Sequence, residues 1–93
     1  MSRPTISDSE YWAAVKAVPP PIGTQWESDP SASSDRLRLF RNQGGEICVV
    51  YPDGVWAVDE RGGYNFCARG REVDLHSAMR RALRVAEALG WFE

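Results

Sequence analysis

The chain has 93 residues, of which 43% are hydrophobic and 26% charged, so it has room for one domain built around one core, residues 1–93. Its net charge of −2 and pI of about 5.4 exclude the overall positive field that draws many proteins onto nucleic acid. Of its eleven basic residues, Lys16 is the single lysine and the rest are arginines. We attribute this bias to a GC-rich genome, and the alternative is a choice of arginine for bidentate contacts.

Targeting and redox signals favour a reducing compartment. The segment from Met1 to Ile6 lacks the apolar region of a secretory signal, and no stretch approaches the roughly 20 apolar residues of a membrane span. The two cysteines, Cys48 and Cys67, do not make a disulfide framework. We therefore expect a cytoplasmic protein without a membrane partner, or one in the host cytoplasm if a phage encodes it.

The first predicted element is a helix over residues 6–18. Ser7 and Glu10 have the spacing of a capping box, and apolar residues follow at helical spacing. Three prolines starting at Pro19 end this helix, because proline has no N–H group and also restricts the residue before it. Residues 19–34 are predicted as a long connection, in which a short fifth strand over residues 24–27 is left open.

The middle of the chain, residues 36–68, predicts a four-stranded antiparallel meander. Its strand-like runs are residues 36–41, 46–51, 55–59 and 64–68, and each intervening turn contains glycine. The strongest of these turn signals is Pro-Asp-Gly at residues 52–54.

The predicted pairing places Tyr51 opposite Val55, Arg41 opposite Glu46, and Asp59 opposite Tyr64. With this register, period-two alternation makes both faces of the sheet apolar. Each face then needs a cover, which is either one helix apiece or one helix layer plus a partner subunit. The second arrangement makes a homodimer one of the alternatives, and the oligomeric state stays open.

The last predicted element is a helix over residues 74–89, with Asp74 as the N-cap and Gly90 just beyond the C-cap. Its apolar stripe is expected to pack on the sheet, and the aromatic pair Trp91 and Phe92 to be pinned onto the core. The predicted fold class is therefore α+β: an N-terminal helix, an antiparallel meander and a C-terminal helix packed on the sheet.

Catalytic and cofactor chemistry find little support in the sequence. A Cys67–His76 pair is the strongest catalytic candidate, but Cys67 is predicted on a packed sheet face, and the helix dipole lowers the pKa of a first-turn histidine. Cys48 and Cys67 are predicted to lie roughly 10 Å apart, too far for one zinc ion. The glycine pairs match turns and no phosphate-binding loop. We expect no enzyme activity, no cofactor and no bound metal.

Two sets of residues are candidates for binding a partner. Trp26 and Glu27 lie in the long connection, where burial is least assured, and tryptophan is frequent at binding hot spots. The other set is basic: a ridge on the last helix and two arginines in the connection that leads into it, namely Arg80, Arg81, Arg84, Arg69 and Arg71. Protein contact is the favoured role, and the alternative is a nucleic-acid-binding module that uses the helix.

A small acidic chain with more arginine than lysine and no cofactor motif resembles, in type, the small inhibitors and immunity proteins of bacteria and phages, including anti-CRISPR proteins. The resemblance covers no motif and transfers no residue. It implies a non-catalytic binding protein whose partner is another protein, either from a host or a second copy of itself. Nucleic acid is the less favoured partner.

Overall fold

The computed structural model describes residues 6–28, 35–60 and 65–92. In these ranges the chain forms a helix, a five-stranded antiparallel sheet and a second helix that packs on the sheet. The predicted α+β fold class is confirmed. Neither helix in the described part of the chain is long and apolar enough to cross a membrane.

The first helix, α1, spans Asp8–Ala17 and begins with the predicted capping box. The Ser7 hydroxyl accepts a hydrogen bond from the Glu10 backbone N–H at 3.2 Å, and the Glu10 carboxylate accepts one from the Ser7 N–H at 3.3 Å. These bonds satisfy two of the N–H groups that a helix start leaves without partners. The helix stops just before the run of prolines, close to the predicted bounds of 6–18.

The sheet has five strands that follow one another in chain order. They are β1 Thr24–Ser28, β2 Leu37–Arg41, β3 Glu46–Val50, β4 Val55–Asp59 and β5 Phe66–Arg71. All four pairings are antiparallel. The strand left open at residues 24–27 is therefore present as β1, inside the predicted connection, and it forms one edge of the sheet.

The predicted register holds through the centre of the sheet, where Val49 lies opposite Ala57. It changes at the start of β3, because Phe40 and not Arg41 lies opposite Glu46. The extra residue, Ile47, forms a bulge and is fully buried in the core. The bulge sends Glu46 to the opposite side of the sheet from the core.

The predicted pairing of β5 is wrong. Asp59 lies opposite Phe66, while Tyr64 falls outside the described residues, and Ala68 lies opposite Val58. A second bulge at Cys67 shifts the register, and β5 continues to Arg71 instead of ending at residue 68. Cys67 is consequently exposed and not on the packed face where it was predicted.

The predicted Pro-Asp-Gly turn connects β3 to β4. The Gly54 N–H donates to the Tyr51 carbonyl at 3.0 Å, and the Tyr51 N–H donates to the Val55 carbonyl at 2.8 Å. Gly54 has φ +95°, a backbone conformation that side chains with a Cβ rarely adopt. Its carbonyl also accepts from the Glu72 N–H at 2.8 Å, which ties the turn to the end of β5.

The second helix, α2, spans Leu75–Ala88. The Asp74 carboxylate caps it by accepting from the Ser77 N–H at 2.8 Å, as predicted. At the other end, Gly90 has φ +87°, and the Gly90 and Trp91 N–H groups donate to the carbonyls of Glu87 and Ala86. This is a Schellman motif, which satisfies helix carbonyls that would otherwise lack a partner.

The core lies on one side of the sheet, between the strands and both helices. The Trp91 ring is 8% exposed and donates from Nε1 to the Asp59 carbonyl at 3.0 Å, so its predicted attachment to the core is confirmed. The described core contains these strand residues: Trp26, Leu37, Leu39, Ile47, Cys48, Val50, Trp56 and Val58. The helices contribute Ala14, Val18, Leu75, Ala78, Met79, Ala82 and Ala86.

Candidate partner-binding surfaces

One side of the sheet is covered by neither described helix. We call this side the open sheet face, and define it by the side chains of β2 to β5 that alternate away from the core: Arg38, Phe40, Glu46, Val49, Val55, Ala57, Asp59, Phe66, Arg69 and Arg71. Of the two arrangements predicted for covering the sheet, one helix on each face is therefore wrong. The face that the helices share carries more of the large buried side chains, including Trp26, Trp56 and the bulge residue Ile47.

Arginine side chains lie over aromatic rings on the open sheet face. The Arg38 guanidinium lies 5.4 Å from the centre of the Phe40 ring, and that of Arg36 lies 5.8 Å from the Tyr51 ring. Val49, at the centre of the face, is 2% exposed although no described helix packs on it. Arg38 lies directly opposite Val49 on β2, and a long arginine side chain can lie along apolar surface while its charged end stays in water.

The arginines of this region are paired with carboxylates. Arg38 Nε donates to Glu46 Oε1 at 2.6 Å, and Arg71 Nη2 donates to Asp53 Oδ2 at 3.1 Å. Arg36 makes a similar contact with the neighbouring carboxylate of Asp35. Because Arg36, Arg38 and Arg71 each have an acidic neighbour, this region presents a mixed-charge surface.

Two carboxyl groups meet on the open sheet face. The bulge in β3 brings Glu46 within hydrogen-bonding reach of Asp59, so that a protonated Asp59 donates to it. Burial raises the pKa of Asp59 to about 7, and the hydrogen bond and negative charge of Glu46 add to this effect, while Arg38 opposes it. The pair therefore holds a proton that separate carboxyl groups would release.

This proton makes stability depend on pH. The folded pKa of Asp59 is about 7 and its ordinary value is 3.8, so the folded chain holds a proton that the unfolded chain loses between these values. We expect the free energy of unfolding to fall by roughly 1 to 2 kcal/mol as pH rises from 4 to 7 and then to level off. The change is kept small because solvent screens a partly exposed pair. Urea denaturation across this range measures the change. Asp59→Asn should remove this part of the pH dependence, and an identical profile in the variant would contradict the assignment.

Trp26 lies in the core and not on an exposed loop. Its side chain is 2% exposed, and its Nε1 donates to the Val18 carbonyl at 3.0 Å. The ring is therefore out of reach of a partner while the fold is intact. The exposed tryptophan of the described chain is instead Trp12 on α1, at 66%. Glu27, the other candidate in this segment, is exposed at the edge strand β1.

The candidate arginines divide between two surfaces. Arg69 and Arg71 belong to β5 and not to the predicted connection. Within β5 they alternate onto the open sheet face. Arg80, Arg81 and Arg84 form an exposed group on α2, on the other side of the molecule. Within this group, Arg81 Nε lies 3.8 Å from Glu72 Oε1. No single surface therefore uses all five arginines.

The residues of the rejected catalytic pair do not meet. Cys67 is near the start of β5, and His76 is in the first turn of α2, beyond the other end of that strand. The span from Cys67 to Arg71 alone is roughly 13 Å. Burial, followed by the nearby carboxylates of Asp59 and Glu46, raises the pKa of the Cys48 thiol. In the described ranges, no group of three or more His, Cys, Asp and Glu side chains is arranged to hold a metal ion.

Comparison with known proteins identifies no family for this chain. No family model matches it, and no curated protein or solved structure is significantly similar to it.

The sequence reasoning missed the two features that define the open sheet face. The Glu46–Asp59 pair depends on a one-residue bulge, which no turn signal or alternation marks in the sequence. The arginine layer was visible in part, because Arg36 and Arg38 alternate with buried leucines along β2. Because those leucines face the core, the same alternation places both arginines on the opposite side of the sheet.

Proposed function

We propose that this protein is a non-enzymatic binding module that recognises another protein through its open sheet face. The observation that carries the proposal is the placement of both described helices on one side of a five-stranded sheet. The other side presents aromatic and arginine side chains, including Phe66 at 44% exposure. Aromatic residues and arginine are enriched in protein interfaces and dominate their hot spots.

The charges of this face favour a protein over a nucleic acid. Nucleic-acid phosphates are bound by unpaired lysine and arginine side chains, which displace the counterions condensed on the nucleic-acid backbone. On the open sheet face Arg38 already pairs with Glu46, and Arg71 already pairs with Asp53. A protein surface that carries both signs of charge can match this pattern, whereas a polyanion would meet the negative charge that Glu46 and Asp59 share.

The proposal includes the finer expectation of a small bacterial or phage inhibitor. A rigid sheet face inhibits by covering the working surface of its target, which needs no catalytic group. The other candidate protein partner is a second copy of the chain, which the two apolar faces predicted for the sheet would favour. Size-exclusion chromatography with light scattering distinguishes these partners, because self-association raises the measured mass with concentration and a foreign target does not.

A photo-crosslinker on Cys67, the exposed residue next to Phe66, tests the proposed surface. Cys67 is exposed on β5 and Cys48 is fully buried, so a benzophenone maleimide should modify Cys67 selectively in the native protein. The matched control is Cys67→Ser with Ala88→Cys, which moves the same probe to an exposed position on α2. We expect a protein adduct, in extracts of the source cells or their host, from the probe on Cys67 and much less from the probe at residue 88.

The alternative, a nucleic-acid module, is favoured by one feature: Arg80, Arg81 and Arg84 are exposed together on α2 and line a shallow groove with Ser77. That function predicts a nuclease-sensitive adduct at residue 88, binding that weakens steeply with salt, and loss of binding in Arg80→Ala with Arg84→Ala. This outcome would overturn the proposal for the open sheet face.

A further inference from the structure

A groove runs between α1 and the edge strand β1. Its described lining residues come from both elements: Asp8, Tyr11, Trp12, Gln25, Trp26, Glu27 and Ser28. Among the described strands, β1 pairs with β2 alone, so the groove follows a sheet edge. The Tyr11 hydroxyl donates to the Trp26 carbonyl at 2.5 Å, which fixes the helix against the strand and keeps the groove at a defined width.

The charged residues that line this groove have one sign, and the nearest cation of the sheet, Arg38, lies opposite Glu27 on the neighbouring strand. Its described lining includes the carboxylates of Asp8 and Glu27 and neither arginine nor lysine. The Gln25 side-chain amide donates to Glu27 Oε1 at 2.6 Å, which holds this carboxylate in one orientation. Burial raises the pKa of Tyr11, and the negative charge of Glu27 raises it further, so this carboxylate acts on the groove. A positively charged group is the natural complement.

An exposed indole stands beside these carboxylates. Trp12 is 66% exposed, and its ring meets the Tyr11 ring edge-on, with centroids 5.2 Å apart and planes at 82°. The face of an indole attracts cations through its quadrupole more strongly than any other side chain. Contact with Tyr11 restrains the ring, so binding a cation there costs less side-chain entropy than on a free tryptophan.

We propose that this groove binds an arginine side chain carried by an extended segment of a protein partner. A guanidinium is planar and weakly hydrated, so it can stack on the Trp12 ring while its N–H groups donate to the Glu27 carboxylate. An ammonium group is more strongly hydrated and lacks the flat surface for stacking. The site goes beyond the proposed function, because it is separate from the centre of the open sheet face and can be tested without the natural partner.

The probe is the capped tripeptide acetyl-Gly-Arg-Gly-amide, titrated into ¹⁵N-labelled protein and followed by NMR. We expect saturable shifts of the Trp12 indole N–H and the Gln25 side-chain amide. The peptide with citrulline in place of arginine, which keeps the shape and loses the charge, should produce neither shift. Trp12→Ala and Glu27→Gln should each weaken the binding by roughly threefold or more. Because Trp12→Ala removes the indole signal, its affinity is measured from the shift of the Gln25 side-chain amide.

The matched control is Glu87→Gln, which removes an exposed carboxylate on α2 and should leave the affinity unchanged. Circular dichroism confirms that each variant is folded. Absence of shifts with the arginine peptide, equal shifts with the citrulline peptide, or unchanged affinity in Glu27→Gln would overturn the proposal. Equal affinity for a lysine peptide would also overturn the assignment to a guanidinium. None of these outcomes bears on the crosslinking result at Cys67.

Discussion

Replacing Trp26 with alanine is expected to lower the free energy of unfolding by about 3 to 5 kcal/mol, a large share of the stability of a domain of this size. The ring is 2% exposed and packs in the core between β1 and the helices. Its removal leaves a cavity and also takes the hydrogen-bond donor from the Val18 carbonyl, 3.0 Å from Trp26 Nε1. Urea denaturation followed by circular dichroism measures the loss.

Trp12→Ala is the control for this prediction, because it removes the same side chain from an exposed position on α1. We expect it to change the free energy of unfolding by less than about 0.5 kcal/mol. Equal losses in the two variants would show that the burial of Trp26 is not what stabilises the fold. The comparison also helps to interpret binding experiments. Loss of partner binding in Trp26→Ala would result from unfolding and not from a missing contact.

The second large effect is expected at Gly54. An alanine there must adopt φ +95°, and its Cβ would lie 2.1 Å from the carbonyl oxygen of Glu72, a backbone atom that cannot rotate away. Backbone strain and this overlap together should lower the free energy of unfolding by about 3 kcal/mol or more. Thermal or urea denaturation of Gly54→Ala measures the effect.

Gly44 provides a matched control for the strain alone. Its φ is also +95°, but a Cβ added there meets nothing within 4 Å. Gly44→Ala should therefore cost about 1 to 2 kcal/mol, from backbone strain only. If both alanine variants lose the same stability, the close approach of the turn to the end of β5 contributes nothing, and the prediction for Gly54 is wrong.

The features that were predictable from the sequence are those set by neighbours in the chain. The capping box at Ser7, the cap at Asp74 and the glycine end of α2 follow from short-range hydrogen bonds. The Pro-Asp-Gly turn fixes the register of β3 and β4 in the same way, since a two-strand hairpin inherits its pairing from its turn.

The features that were not predictable depend on a single inserted residue or on a choice between two faces. The bulges at Ile47 and Cys67 reverse which side of the sheet the next residue reaches, and alternation alone does not reveal them. The side on which a helix packs is decided by the shape of the whole sheet surface. For this reason Cys67 was placed on the wrong face, and Glu46 was not matched with Asp59.

The two tryptophans of the α1–β1 region illustrate the same limit. Trp26 lies in a segment rich in proline and polar residues, and Trp12 lies within a helix, so local composition predicts the reverse of their exposures. The exposure of each ring is decided by contacts between residues distant in the chain. Trp26 faces the core because β1 pairs with β2 at the sheet edge. Helical periodicity does place Trp12 beside the apolar stripe, which was the available signal for its exposure.

The simple order of the sheet has a consequence for how the chain acquires its structure. Each strand pairs with the one before it, so no strand pairing has to bridge another strand. Folds with such sequence-local contacts have low contact order and reach the native state quickly, because little loop-closure entropy is lost before contacts form.

The exception is α1, which packs against α2 at the opposite end of the chain and is held to β1 through Tyr11 and Val18. Most of the described core joins the meander to α2, so we expect α1 to dock last during folding. The groove beside Trp12 would then be completed only in this last step, when the Tyr11 hydroxyl reaches the Trp26 carbonyl.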